Sequence, residues 1–202
     1  MGAKTRAALG FRAHSGWAAV VAVAGTPRAP EVLDRRRITI ADSAIAGSKQ
    51  PYHAAEGLPL AAAKELLQRC EAGSRRLARK AVGEIVEDLE AKGYAVAGCA
   101  LLLASGRPLP ELTSILASHA LIHTADGEHF RDALVLACEH RRLSVLRVQS
   151  RDLPAEAASR FRIAAGDLMA RVNAVGKPLG PPWTQDQKLA ALVAWLALAS
   201  RR

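Results

Sequence analysis

The apolar residues at the amino end fall in runs too short for helices, broken by glycine, proline and small polar residues. Residues 7–13 and 17–24 are nearly all apolar and are separated only by His14-Ser15-Gly16, where Gly16 supplies the backbone freedom of a tight turn. The pair predicts a β-hairpin. Beyond the Gly25-Thr26-Pro27 breaker, residues 31–40 alternate, with Val32, Asp34, Arg36, Ile38 and Ile40 on one face and Leu33, Arg35, Arg37 and Thr39 on the other. Three arginines in a run of mixed polarity predict a half-exposed edge strand.

Residues 41–57, rich in Ser and Gly, predict a loop carrying Tyr52, His53 and Glu56. Pro59 suits the first turn of a helix, and Leu60, Leu66, Leu67, Cys70, Leu77, Val82, Ile85, Val86 and Leu89 recur at helical spacing as far as Lys92. Gly73 and Gly83 inside it mark a bend or a close approach to the sheet. Gly93 is placed to end the helix, and residues 94–104 are almost unbroken apolar sequence, the pattern of a parallel strand buried on both faces. Ser105-Gly106-Arg107-Pro108 breaks that strand. A short helix over 110–118 follows, then a helix over 126–141 with Phe130, Leu134, Ala137 and Cys138 inward, and a strand over 143–149. Pro154 opens a helix reaching 174, Pro178, Pro181 and Pro182 stiffen a connection, and Thr184 caps a final helix over 185–200. The order β-β-β-α-β-α-β-α predicts an α/β fold: a mixed five-stranded sheet, three antiparallel strands then two parallel, with helices on both faces. No solenoid-length repeat occurs, and residues 1–202 are expected to form a single domain.

Composition narrows the partners. Lys and Arg outnumber Asp and Glu by 28 to 19, a formal net charge of +9, which favours nucleic acid or a phosphorylated ligand. No run of five basic residues concentrates that charge, and exposed arginines scattered over the surface give the same total. Cys70, Cys99 and Cys138 are widely spaced and form no C-x-x-C pair, so a disulfide framework and a zinc knuckle are not expected, and a reducing, cytoplasmic location is. Lys4 and Arg6 before the apolar run and Ala22-Val23-Ala24 after it imitate a signal peptide, but the hairpin accounts for the same pattern. Met1-Gly2 lacks the Ser or Thr that myristoylation needs at position 6, and the apolar run 189–199 is too short to span a bilayer, so no membrane partner is expected. The chain contains no G-x-x-x-x-G-K-[ST], G-x-G-x-x-G or G-x-S-x-G, which argues against a P-loop nucleotidase, a Rossmann oxidoreductase, and a nucleophile elbow at Ser15 or Ser118.

Leu9-Gly10-Phe11-Arg12, followed by His14-Ser15-Gly16 and an apolar strand, resembles the opening L-G-I-D-x-G-S-x-x-x-G of the RuvC-type Holliday-junction resolvases. The element order is similar to that of their ribonuclease H-like fold. The resemblance implies a sheet edge at which acids from the first strand, the end of the fourth and the last helix hold two magnesium ions, since hard cations take oxygen ligands and paired metals activate water and leaving group together. In this chain Arg12 aligns with the first acid, residues 100–105 contain none, and Asp186 alone stands where a family carboxylate is expected. A guanidinium at that point repels cations. The resemblance therefore implies the fold with a degenerate acidic cluster and without the usual two-metal chemistry.

The densest polar stretch follows Ser118. His119 and His123 are four apart, on one face of a continuous helix, with Asp126, Glu128 and His129 after them. A metal site would take His119 and His123 with a carboxylate from Asp126 or Glu128. Ala120 stands where H-E-x-x-H carries its general base, so that motif is absent. The preferred reading assigns no metal here and names no particular cofactor, which stays unknown, with Thr124 or Asp126 capping the next helix. By topology His14, Ser15, His119, His123, Glu128 and Asp186 are expected to share one cleft at the sheet edge, lidded by Pro51-Tyr52-His53, and His14, His119, His123, Glu128 and Asp186 are the candidate catalytic residues. Arg12, Arg35, Arg36, Arg37, Arg75 and Arg76 are the candidate nucleic-acid contacts, which would chiefly meet phosphates. Tyr52 and Trp183 are expected to be exposed, Trp17 and Trp195 buried. These residues support a nucleic-acid-binding or accessory domain first, a hydrolase with a His/carboxylate site at the same edge second, and a homodimer through the long helix third.

Overall fold

Nearly unbroken apolar runs build the first two strands, and a run of mixed polarity the third, of the antiparallel meander Thr5–His14 (β1), Trp17–Thr26 (β2) and Ala29–Thr39 (β3). The apolar runs Tyr94–Leu103 (β4) and Ser144–Gln149 (β5) add on the other side of β1 in parallel, giving the strand order β3-β2-β1-β4-β5. The structure, a computed structural model, describes residues 4–26, 28–104 and 108–200; Met1-Gly2, Pro27 and the Ser105-Gly106-Arg107 break lie outside the described residues. The helices are Pro51–Ala55 (α1), Leu60–Ala91 (α2), Leu112–Leu116 (α3), His119–His140 (α4), Leu153–Phe161 (α5), Ala165–Gly176 (α6) and Gln185–Ala199 (α7). None is long and apolar enough to cross a membrane, among the described residues.

The sheet buries a core on each face. Leu9, Phe11, Val20 and Leu101 pack against α2 and α4 through Val82, Ile85, Phe130 and Leu134. Ala8, Val21, Ala100 and Leu102 pack on the opposite face against α7, with α5 and α6 closing over it through Leu153, Ala157, Leu168 and Val172. Helix α7 is buried nearly all round from Ala190 to Leu198, as a central helix must be when apolar on every side. A capping box fixes its start: the Gln187 N–H donates to Thr184 Oγ1 at 3.3 Å, and the Thr184 N–H donates to Gln187 Oε1 at 2.9 Å.

Five expectations are corrected. A bulge at Leu33, between the pairs Ala22/Asp34 and Val23/Val32, reverses the phase of β3, so Val32 joins the α7 core while Ile38 joins the α2 core. The loop over 41–57 contains α1. Helix α4 begins at His119 instead of 126, so Thr124 and Asp126 lie inside it and cap nothing; the Thr124 hydroxyl donates to Ala120 O at 3.0 Å. The helix opened by Pro154 breaks at Arg162, whose φ of 55° is left-handed, and this turn lets Leu168 and Val172 of α6 reach the α7 core. Gly73 and Gly83 make close approaches, though not to the sheet: a β-carbon would lie 2.9 Å from Asp42 Cβ at the first and 3.1 Å from an Arg141 nitrogen at the second.

The tightest approach is at Gly10, where a β-carbon would sit 1.9 Å from Ala190 O and 2.7 Å from Ala194 N. Gly10→Ala is expected to lower the urea midpoint by the equivalent of about 1–3 kcal/mol, the cost of overpacking against backbone that cannot turn away. Gly166→Ala, with nothing within 4 Å, is expected to leave the midpoint unchanged or raise it.

Candidate functional site

The pleat sends Ala8, Gly10, Arg12 and His14 to the α7 face of β1, so the last two meet the first turn of α7. Arg12 Nε lies 3.7 Å from Asp186 Oδ1, and His14 Nε2 lies 3.0 Å from the same oxygen, off the line of an aligned hydrogen bond. Arg12 Nη1 donates to Ser150 Oγ at 3.4 Å, and that hydroxyl donates to Leu103 O at 3.0 Å, tying the ends of β1, β4 and β5 together. Arg12, His14 and Ser150 floor a cleft of about 380 Å³. Its opposite wall is α4, through His123, Asp126 and Arg131.

Asp126 is 3% exposed. Its oxygens accept from the Tyr52 N–H at 2.7 Å and from His53 Nδ1 at 2.5 Å. Pro51-Tyr52-His53 is thus pinned to α4 as the start of α1 and does not form a free lid. His53 thereby joins His119 and His123, whose Nε2 atoms are 3.1 Å apart. Arg131, also buried, donates to Glu128 Oε1 at 2.8 Å.

His14, Ser15 and His123 line the cleft and Asp186 meets its floor, with His119 adjoining His123. Glu128 lines a different cavity, also of about 380 Å³, between α2 and α4, with Glu71, Arg75, His129 and Asp132. Arg131 and Ser150 were missed from sequence, and His53 was placed in a lid and not with His119 and His123. Only a helix extended back to Ser118 would have aligned His119, His123 and Asp126, and nothing local pointed from there to His53.

The candidate phosphate contacts are largely engaged within the chain. Arg35 donates to the carbonyls of Leu179 at 3.0 Å, Gly180 at 2.9 Å, Pro181 at 3.3 Å and also Pro182. Arg36 bridges Asp34 at 2.6 Å and Asp88 at 2.7 Å, Arg75 meets Glu71, and Arg76 meets Asp42 at 2.7 Å. Arg37 is exposed, with its guanidinium carbon 3.9 Å from the Trp17 ring centroid. Trp17, expected in the core, is half-buried and stacks on His14 at 4.3 Å with the planes 11° apart. A layered His14/Trp17/Arg37 stack therefore runs out of the cleft along the sheet. Trp183, expected to be exposed, is half-buried with its Nε1 donating to Val172 O at 3.1 Å, whereas Trp195 is core.

The donor set at the sheet edge does not suit two magnesium ions. Its one acid from β1, β4 or α7 is Asp186, already facing Arg12 and His14, and a hard dication needs several oxygen ligands.

Neither a family model nor a curated protein matches the chain. Among solved structures, Thermus thermophilus RuvC in complex with Holliday junction substrate superposes with a TM-score of 0.52 at 10% identity, covering 94% of this chain and 90% of that one. A further Thermus thermophilus RuvC structure gives 0.52 at 11% identity, covering 94% and 91%. The chain has the ribonuclease H-like fold, of the RuvC-like form, and at these identities the likeness is one of fold.

In the second cavity, burial pushes His129 below its usual 6.5, outweighing the attraction of Glu71 and Asp126, and Ser74 lies 3.0 Å from its Nε2. Burial also pushes the Asp132 carboxyl up. The unfolded chain protonates His129 first, so its contribution to stability is lost as pH falls from about 6.5 towards the lower folded pKa, while Asp132 acts in the opposite sense at lower pH. His129→Gln is expected to shrink the drop in urea midpoint between about pH 7.5 and 5.5, measured by far-UV circular dichroism at both values.

Proposed function

We propose that this is a nucleic-acid-binding ribonuclease H-like domain that holds its polyanion at the β1/α7 edge without two-metal hydrolysis. The observation that carries the reading is the Arg12–Asp186 pair, a fixed cation where the fold's acids would otherwise gather. Such a centre favours phosphate oxygens over a magnesium pair. Of the solved structures sharing the fold, one is bound to a Holliday junction, and DNA is the polyanion this reading brings to the chain.

Two features support a groove leading from that centre. Arg37 is exposed and lies over Trp17, so the His14/Trp17/Arg37 stack offers a flat cationic face to a base or a backbone. The net charge of +9 attracts any nucleic acid at long range. Arg35, Arg36, Arg75 and Arg76 are assigned to structure instead, because their guanidinium groups already serve carbonyls and carboxylates.

Fluorescence anisotropy with a labelled DNA duplex and a labelled four-way junction tests this. Binding is expected at low salt and should weaken steeply as salt rises. Arg37→Ala is expected to weaken it by roughly 2- to 30-fold, the equivalent of about 0.5–2 kcal/mol for a lost stacked cation. The junction should remain uncut after incubation with Mg²⁺. Absence of binding at low salt, or Mg²⁺-dependent cleavage by the purified chain, would overturn the reading.

A further inference from the structure

We infer that His53, His119 and His123 form a binding site for one transition-metal dication of the zinc class, with Asp126 as the group that orients His53. The three rings come from two elements, one from α1 and two spaced by a helical turn on α4, and their ligand atoms all lie within 4.8 Å of one another. The His119 and His123 Nε2 atoms, 3.1 Å apart, are close to the roughly 3.3 Å edge of a tetrahedron built on Zn–N bonds of about 2.0–2.1 Å. The ring planes cross at 69°, 82° and 90°, so the imidazoles meet edge to face around a common point and none stacks on another.

Asp126 is an independent observation. A carboxylate 3% exposed inside a helix carries a large desolvation cost, and among the described residues no Lys or Arg forms an ion pair with it. Its partners are the Tyr52 N–H and His53 Nδ1. Accepting the Nδ1 proton fixes the His53 tautomer and leaves the Nε2 lone pair for an ion, the arrangement by which a carboxylate steadies a metal-bound imidazole. A dication one ring away supplies the missing countercharge. Three imidazoles select zinc, cobalt, nickel or copper over magnesium, which prefers oxygen. His119 and His123 are exposed, which leaves a fourth coordination position to solvent. His123 and Asp126 also line the cleft, so the ion would sit beside the polyanion path without depending on it.

The test uses the full chain stripped with chelator and contains no nucleic acid, so its failure is separate from failure of the binding reading. Zn²⁺ is followed by equilibrium dialysis with metal analysis, and Co²⁺ by its visible absorption. One equivalent per chain is expected, with the intense bands of tetrahedral cobalt and no displacement by excess Mg²⁺. His119→Ala and His123→Ala, at exposed positions, should keep the far-UV spectrum and lose stoichiometric binding. Asp126→Asn should retain one equivalent with affinity weakened by about 10- to 100-fold. Less than one equivalent in the parent chain, or undiminished binding in His123→Ala, overturns the site; unchanged affinity in Asp126→Asn overturns the role given to the carboxylate.

Discussion

The absence of a side chain at Gly10 governs how this molecule is put together. Because nothing projects from β1 there, the Ala190 carbonyl occupies the space a β-carbon would need, and α7 lies directly on the strand. Helix and strand then share an edge, with Asp186 in the first turn of one opposite Arg12 and His14 at the end of the other. The Thr184/Gln187 capping box sets where that turn begins. A helix held farther out would leave Arg12 without its carboxylate and the cleft without a floor.

Three of the candidate contacts, Arg35, Arg36 and Arg76, are spent on ties between elements. Arg35 gathers the carbonyls of residues 179–182 and so fastens the connection before α7 to β3, while Arg36 joins β3 to α2 through Asp88 and Arg76 joins α2 to the segment after β3 through Asp42. Of the six candidate contacts, Arg37 over Trp17 and Arg12 at the cleft are the two left beside the β1/α7 edge. This concentration is why the sheet edge, and not the arginine-rich strand as a whole, carries the functional reading.

The strands and the long helix were legible because a strand buried on both faces leaves a short apolar run, as in residues 7–24, and burial of one helix face writes a period into the sequence, as in residues 60–91. The bulge at Leu33 was not, since it exists only in the pairing with β2. The start of α4 was hidden by Thr124, Asp126 and Gly127, which have the composition of a turn, whereas Ile122 and Ala125 bury against Ile115 only once the helix is in place. His53 is separated from Asp126 by 73 positions, and no local pattern announces such a contact. Arg12 is the exception: the resemblance places it at the site on the first strand, but its contacts with Asp186 and Ser150 exist only in the folded sheet.

Asp126 joins the two parts of the site. It lines the cleft from α4 and, from the same position, holds α1 through Tyr52 and His53, so the wall facing Arg12 and the histidine cluster cannot be rearranged separately. The two flanks have opposite tastes in ligand. At the β1/α7 edge a guanidinium and an imidazole surround one carboxylate, a setting that repels hard cations and accepts anions. On the α1/α4 side three imidazoles backed by a buried carboxylate accept a borderline cation and offer nothing to magnesium. With Arg12 on β1 and Asp186 the one acid from β1, β4 or α7, that edge offers few oxygen donors, while the nitrogen donors lie on helices packed across the cleft. Any ion held there would present positive charge towards the same groove as Arg12, so the two flanks favour one kind of occupant, an anionic backbone running between them.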